Sequence, residues 1–175
     1  MLGKPDLSIV LGEYCRGDAR ALSSRRTEVI PNGIPDPCPG FDTELLPLRL
    51  ARPAQRTALL AGAAAPDPDA RWFKVLFLSL CTREKGLFDA IEAVALVNRR
   101  LAQSGSPLRV QLSVAGKFWR DDERVEFEQR IARPDLNGAT ADSPEAVVRY
   151  RGFVAGEEKR RLFRESDCFC FPTYY

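Results

Sequence analysis

The sequence predicts an α/β fold built on a parallel sheet, and two observations carry that prediction. From residue 71 onward, strand-like and helix-like stretches alternate at the spacing of right-handed βαβ units. Within them, Lys74-Val75-Leu76-Phe77-Leu78-Ser79-Leu80 is a continuous apolar run rich in branched and aromatic residues. Such a run suits a strand covered on both faces, as parallel strands are.

The elements follow in order. Leu7–Leu11 is a short strand candidate, Asp18–Ser23 a polar, Arg-rich helix and Thr27–Ile30 a second strand. Two strands and one helix bury too little for a core of their own, so this is the edge of a domain or a small adjunct. Eight of the 13 prolines then fall between Pro31 and Pro68, with Gly33, Gly40 and the Ala61–Ala65 run. Proline removes a backbone donor and restricts its predecessor. The stretch is therefore expected to be a linker or insertion, with a short helix at Ala54–Leu60 at most. Beyond the Lys74–Leu80 strand, a helix is expected over Glu84–Gln103, with Leu87, Ile91, Val94 and Leu101 on one stripe. Leu108–Ala115 is the next strand, closed by Gly116. A helix starting at Asp121-Asp122 carries Val125, Phe127 and Ile131. Ala146–Tyr150 is a third strand, Glu157–Glu165 a helix, and Cys168–Phe171 a fourth strand, read as buried, ending at Pro172.

Composition narrows the chemistry. The chain has 175 residues, 45% of them hydrophobic, which is enough for a core. Its net charge of +2 gives no electrostatic case for nucleic acid or a membrane surface. Histidine is absent, which removes Ser-His-Asp and Cys-His catalysis and any zinc site that needs an imidazole. The five cysteines are odd in number and form no C-x-x-C pair, so reduced thiols in a reducing compartment are expected. No signal peptide and no apolar stretch near 20 residues is visible, which points to a cytoplasmic protein.

Open parallel sheets bind ligands beyond the carboxyl ends of their strands. That puts attention on the loop Ser79-Leu80-Cys81-Thr82-Arg83-Glu84-Lys85-Gly86, which joins a strand to a helix start with two cations and a glycine. Free amides at a helix start and the Lys85 charge suit a diphosphate; a solvated turn is the alternative. Gly116, with Lys117 after it, either lets a ligand approach the backbone or simply ends its strand. Gly152-Phe153 after the third strand has the same two readings, a nucleobase edge or core. Lys159-Arg160-Arg161 beside Glu157 and Glu158 is a solvated helix face. No G-x-G-x-x-G or Walker A sequence occurs. Asp121, Asp122 and Glu123, adjacent on a helix, point apart and suit capping better than a metal.

Taken in order, these segments resemble the retaining glycosyltransferases of the GT-B fold, family 4 (glycosyl transferases group 1). Phe77–Gly86 looks like their strand and G-R-x-x-x-x-K-G loop, and the strand ending in Gly116 resembles the second strand and its glycine. Val148–Val154 resembles the strand and F-x-G-x-V turn at the nucleobase, and Asp167–Thr173 the a-D-v-f-v-x-P-S strand. Val29-Ile30-Pro31-Asn32-Gly33-Ile34 looks like the V-I-P-N-G-I/V segment that leaves the N-terminal domain. Leu80 stands where the family has its diphosphate arginine and Ser79 where it has the preceding glycine, with Arg83 a substitute source of charge. The E-x7-E motif that follows the P-S strand in the family does not occur before Tyr175.

The resemblance implies an incomplete GT-B, Rossmann-like C-terminal domain over residues 71–175. It is preceded by a remnant of the N-terminal domain (1–33) and a Pro-rich linker or insertion (34–70). The implied reaction moves a sugar from a nucleoside diphosphate sugar to an acceptor hydroxyl with retention, using no metal and no cofactor. The fragment alone is expected to be inactive and marginally stable, because the family's strand order leaves the fourth strand as an exposed apolar edge of Cys and Phe. Lys85, Gly86, Arg83 and Ser79 would meet the donor diphosphate, and Gly116, Gly152, Phe153, Val154 and Thr173 would line the nucleoside side. The acceptor is a sugar, lipid or glycan, nucleic acid is not a partner, and the full-length protein is allowed a peripheral membrane association. The alternatives are a non-catalytic α/β binding module and another GT-B enzyme such as a nucleotide-sugar epimerase.

Overall fold

The computed structural model describes residues 4–33, 38–64, 67–137 and 145–174; Ile34 of the Val29–Ile34 motif and Tyr175 lie outside them. The chain divides into two compact units, Met1–Pro39 and Gly40–Tyr175.

In the first unit, β1 (Leu7–Val10) and β2 (Arg26–Val29) pair in parallel, with α1 (Arg16–Ala21) between them. Arg16 holds the turn together, donating to Glu13 and to the carbonyl of Thr27 at 3.2 Å. Ala19 is the buried residue of this helix, so the described part of this unit encloses little core.

The second unit is a four-stranded parallel sheet in the order β5-β4-β3-β6. Its strands are β3 (Trp72–Leu78), β4 (Arg109–Ala115), β5 (Val148–Gly152) and the short β6 (Cys168–Phe169). Strand period 2 sorts the side chains: Val75 and Phe77 point to one face of β3, Leu76 and Leu78 to the other. On the first face pack α3 (Leu87–Gln103) and α4 (Asp121–Ile131). On the second packs α5 (Gly156–Glu165), through Leu162 and the preceding Val154.

Three expectations change. Val125 of α4 faces solvent; the buried stripe is Glu123, Phe127 and Ile131, spaced i, i+4, i+8 on one helical face. The Cys168–Phe171 run is not the buried strand its own pattern suggests but the exposed apolar edge that the family's strand order implies. Among the described residues it borders β3 alone, and Cys168, Phe169 and Phe171 are exposed.

The third change lies in the proline-rich stretch, which holds α2 (Leu46–Leu60), a 15-residue helix rather than a short one. Pro47 sits in its first turn, where no amide partner is needed. Pro53 sits inside it and gives up one bond. Tertiary contacts outweigh that loss. Arg49, Arg52 and Arg56 are spaced on one face, and their guanidiniums donate to Phe163, Arg164, Glu165 and Trp72 carbonyls. The first three carbonyls end α5, where positive charge also meets the negative end of the helix dipole. Arg52 and Arg56 further pair with Asp167 at 3.0 and 2.5 Å.

Candidate functional site

The loop from Ser79 to Gly86 leaves the carboxyl end of β3 and is pinned from three directions. From the β4 side, Ser79 N–H donates to the Ala115 carbonyl at 3.1 Å and Cys81 N–H to the Lys117 carbonyl at 2.9 Å. From α4, the buried Glu123 accepts the Arg83 N–H at 2.8 Å. From the segment after β6, the Thr173 hydroxyl and the Tyr174 N–H both donate to the Glu84 carbonyl, at 3.3 and 3.1 Å. Helix α3 starts later than the sequence suggested, at Leu87, because residues 83–86 form a turn that closes on the Gly86 N–H to Arg83 carbonyl bond.

Two glycines are there for stated reasons. A Cβ on Gly116 would lie 1.7 Å from the Ser79 carbonyl oxygen, so the ends of β3 and β4 could not meet. Gly86 has φ +74, and a Cβ there would lie 2.2 Å from the Pro172 carbonyl oxygen. What glycine accommodates at both places is neighbouring backbone.

Around Gly116 the geometry is braced again. Its N–H donates to Gly152 at 2.7 Å and its carbonyl accepts the Tyr150 hydroxyl at 3.0 Å. Phe118, Phe127 and Tyr150 form an aromatic trio with centroids 5.2 to 5.4 Å apart. Burial pushes the Tyr150 phenol up from its ordinary pKa, with the nearby Cys81 adding to the rise, so it stays a donor at neutral pH. The fully buried Cys81 thiol is pushed up to about 12, by burial first and then by the Glu123 charge; it is no nucleophile.

The expected site residues separate into groups. Ser79, Gly116, Phe153 and Val154 line one cavity of about 160 Å³ beyond the carboxyl ends of β3 and β4, together with Leu78, Leu80, Ala115 and Lys117. Lys85, Gly86 and Thr173 gather instead at the segment after β6, where the Lys85 ammonium stands 5.6 Å from the Phe171 ring centroid. Gly152 lines a separate cleft with Phe118, Tyr150 and Arg124. Arg83 is turned to the far side, paired with Glu126 at 2.5 Å and stacked on Phe88 at 4.8 Å. Leu80 is 41% exposed, an apolar side chain at the rim.

Sequence reasoning passed over Glu123 as a brace of this loop and Lys117 as part of the cavity. The Glu123, Phe127, Ile131 periodicity was the available signal for the first. Asp122 pairs with Arg120, and α4 has no side-chain N-cap, so the acidic trio does not cap its own helix. No group of metal-ligating side chains occurs among the described residues, and no described helix is long and apolar enough to cross a membrane.

A parallel sheet with helices on both faces, and a pocket beyond its strand ends, makes the second unit a Rossmann-like α/β domain. Solved structures that the chain resembles include crystal structures of Anabaena Alr3699/HepE. The complex with UDP aligns over 97% of this chain with TM-score 0.57 and 18% identity. That with UDP and glucose aligns over 96% with TM-score 0.55 and 19% identity. The complex with UDP-glucose gives 0.53 and 20% over 96%. The chain spans 38 to 39% of the length of those chains. No family model and no curated protein sequence matches it.

Proposed function

We propose that this chain forms the donor side of a retaining, family 4-like glycosyltransferase that takes its sugar from a nucleoside diphosphate sugar. One observation carries the proposal: the cavity joining Ser79, Gly116, Phe153 and Val154 lies beyond the strand ends, beside a basic loop held by three elements. The fold it shares with structures holding UDP and UDP-glucose supports a nucleotide-sugar donor.

At about 160 Å³, the cavity is smaller than the several hundred Å³ of a whole-ligand site, so it takes one end of the donor. Phe153 offers a face to the base and Val154 its apolar border. Lys85 and the amides at the start of α3 meet the diphosphate, whose charge grows as the sugar leaves. The Ser79–Gly86 loop is fixed before binding, so this stabilisation needs little rearrangement. Gly152 acts from behind the nucleoside side, accepting the Gly116 N–H, and Thr173 braces the Lys85 loop through its hydroxyl on the Glu84 carbonyl. Because these 175 residues span 38% of the matched UDP–glucose complex, they are expected to hold the donor without completing transfer.

The test is calorimetric titration of UDP into the purified chain. Lys85→Ala is expected to weaken binding about tenfold, the scale of one charge-assisted phosphate contact. Undiminished affinity in that variant, or no UDP binding by the parent chain, would overturn the reading.

A further inference from the structure

The donor cavity has an apolar rim where a diphosphate needs charge. Leu80 stands at the carboxyl end of β3 with no charge to offer, and Arg83 is committed elsewhere, to Glu126 and to the face of Phe88. Lys85 lies with Phe171 and Thr173, outside the residues that line the cavity. One cationic side chain does line it. Lys117 stands at its edge, and its ammonium lies 4.7 Å from the centroid of the Phe153 ring.

Three features make Lys117 more than a surface lysine. Its backbone is fixed on both sides: its own carbonyl takes the Cys81 N–H at 2.9 Å, Gly116 is bonded to Gly152 and Tyr150, and Phe118 sits in the aromatic trio. Its ammonium has no carboxylate partner among the described residues, so a ligand anion has no protein anion to displace. The ring that holds it, Phe153, is 64% exposed and borders the same cavity. A cation–π contact at an exposed site contributes only about 0.5 to 1 kcal/mol, enough to park the ammonium and little enough to release it to a phosphate.

We propose that Lys117 supplies the second positive charge on the donor diphosphate, in place of a cation at position 80 and in place of Arg83. This rests on the donor-binding reading above. Lys85 approaches the diphosphate from the α3 side and Lys117 from the β4 side, with Phe153 tying the second charge to the base. Lys117 is a binding residue here; it donates to phosphate oxygens and moves no proton.

The experiment is UDP titration by calorimetry on the full 175-residue chain at low and high salt. The proteins are the parent, Lys117→Met, Lys117→Arg, Arg83→Gln, Lys85→Ala, and Arg99→Gln from the far end of α3 as the charge-matched control. Lys117→Met is expected to weaken UDP about tenfold and to flatten its salt dependence. Lys117→Arg restores most of the affinity, and Arg83→Gln and Arg99→Gln stay within about twofold of the parent, the limit for a charge that does not touch the ligand. Thermal melts of each variant check folding. If Lys117→Met binds like the parent while Lys85→Ala is weakened, the donor reading stands and the Lys117 assignment falls. A loss carried by Arg83→Gln instead overturns it equally. A parent chain that does not bind UDP sinks both.

Discussion

Gly116 shows how one atom sets a site. The Ser79 carbonyl occupies the space a side chain would need, at 1.7 Å from the would-be Cβ. The Gly116→Ala variant must push β3 and β4 apart at their carboxyl ends, where the cavity begins. It is expected to lose about 3 kcal/mol, the upper range for overpacking, and to lose UDP affinity with it. Urea unfolding checks the first and calorimetry the second; a variant as stable as the parent would mean the strand ends can separate freely. The sequence placed this glycine at the end of a strand but left its purpose open between ligand and backbone. Nothing in the residues 111–117 names the carbonyl across the sheet, because that neighbour comes from residue 79. Lys117 was obscured for the same reason: its importance lies in Phe153, 36 positions away (153 − 117).

At the level of elements, α2 is the clearest case of tertiary structure overriding local preference. Two prolines argue against a long helix, and the argument fails because Arg49 and Arg52 bond the end of α5 while Arg56 bonds the Trp72 carbonyl at the start of β3. Asp167 is the centre of that arrangement. Burial pushes its carboxyl up, but the Lys74 N–H and the Arg56 and Arg52 guanidiniums outweigh burial and hold it below the ordinary 3.8. A depressed carboxylate contributes stability that is present above the unfolded pKa and lost as pH falls through the folded one. The Asp167→Asn variant is therefore expected to be about 3 kcal/mol less stable near neutral pH, the usual cost of taking one partner from a buried ion pair. That difference should shrink below pH 3.8, where the parent's advantage titrates away. Denaturant curves at neutral and acidic pH decide it, and a constant gap across that range would rule out the ionised carboxylate as the cause. By contrast, the βαβ elements from β3 to α5 were legible to within a few residues, since apolar runs and helical stripes are local signals.

In the second unit the sheet edge at β6 is strongly apolar. Among the described residues β6 pairs with β3 alone, and Phe163, Phe169 and Phe171 cluster there in the open, with ring centroids 5.8 and 6.1 Å apart. An apolar edge with unpaired backbone groups is a template for association. The isolated 175-residue chain is expected to self-associate with rising concentration, and Phe169→Lys to suppress it, since an outward charge blocks edge pairing. Light scattering across a dilution series measures this; equal scattering by parent and variant would show that the edge is inert. Alternation and apolar content predicted the sheet and an apolar fourth strand. The pattern of that strand alone reads as buried, and its exposure is legible only from the strand order the resemblance implies, because burial is a property of neighbours.

The triple anchoring of the Ser79–Gly86 loop also governs when it can form. Its contacts run to Lys117, to Glu123 and to Thr173, and the last lies 89 positions from its partner Glu84. Such contacts are among the slowest to be made during folding, because the intervening chain must be ordered before they repay its entropy. The Ser79–Gly86 loop should therefore be the last part of the sheet to gain protection against amide hydrogen exchange, and the first to lose it on mild destabilisation.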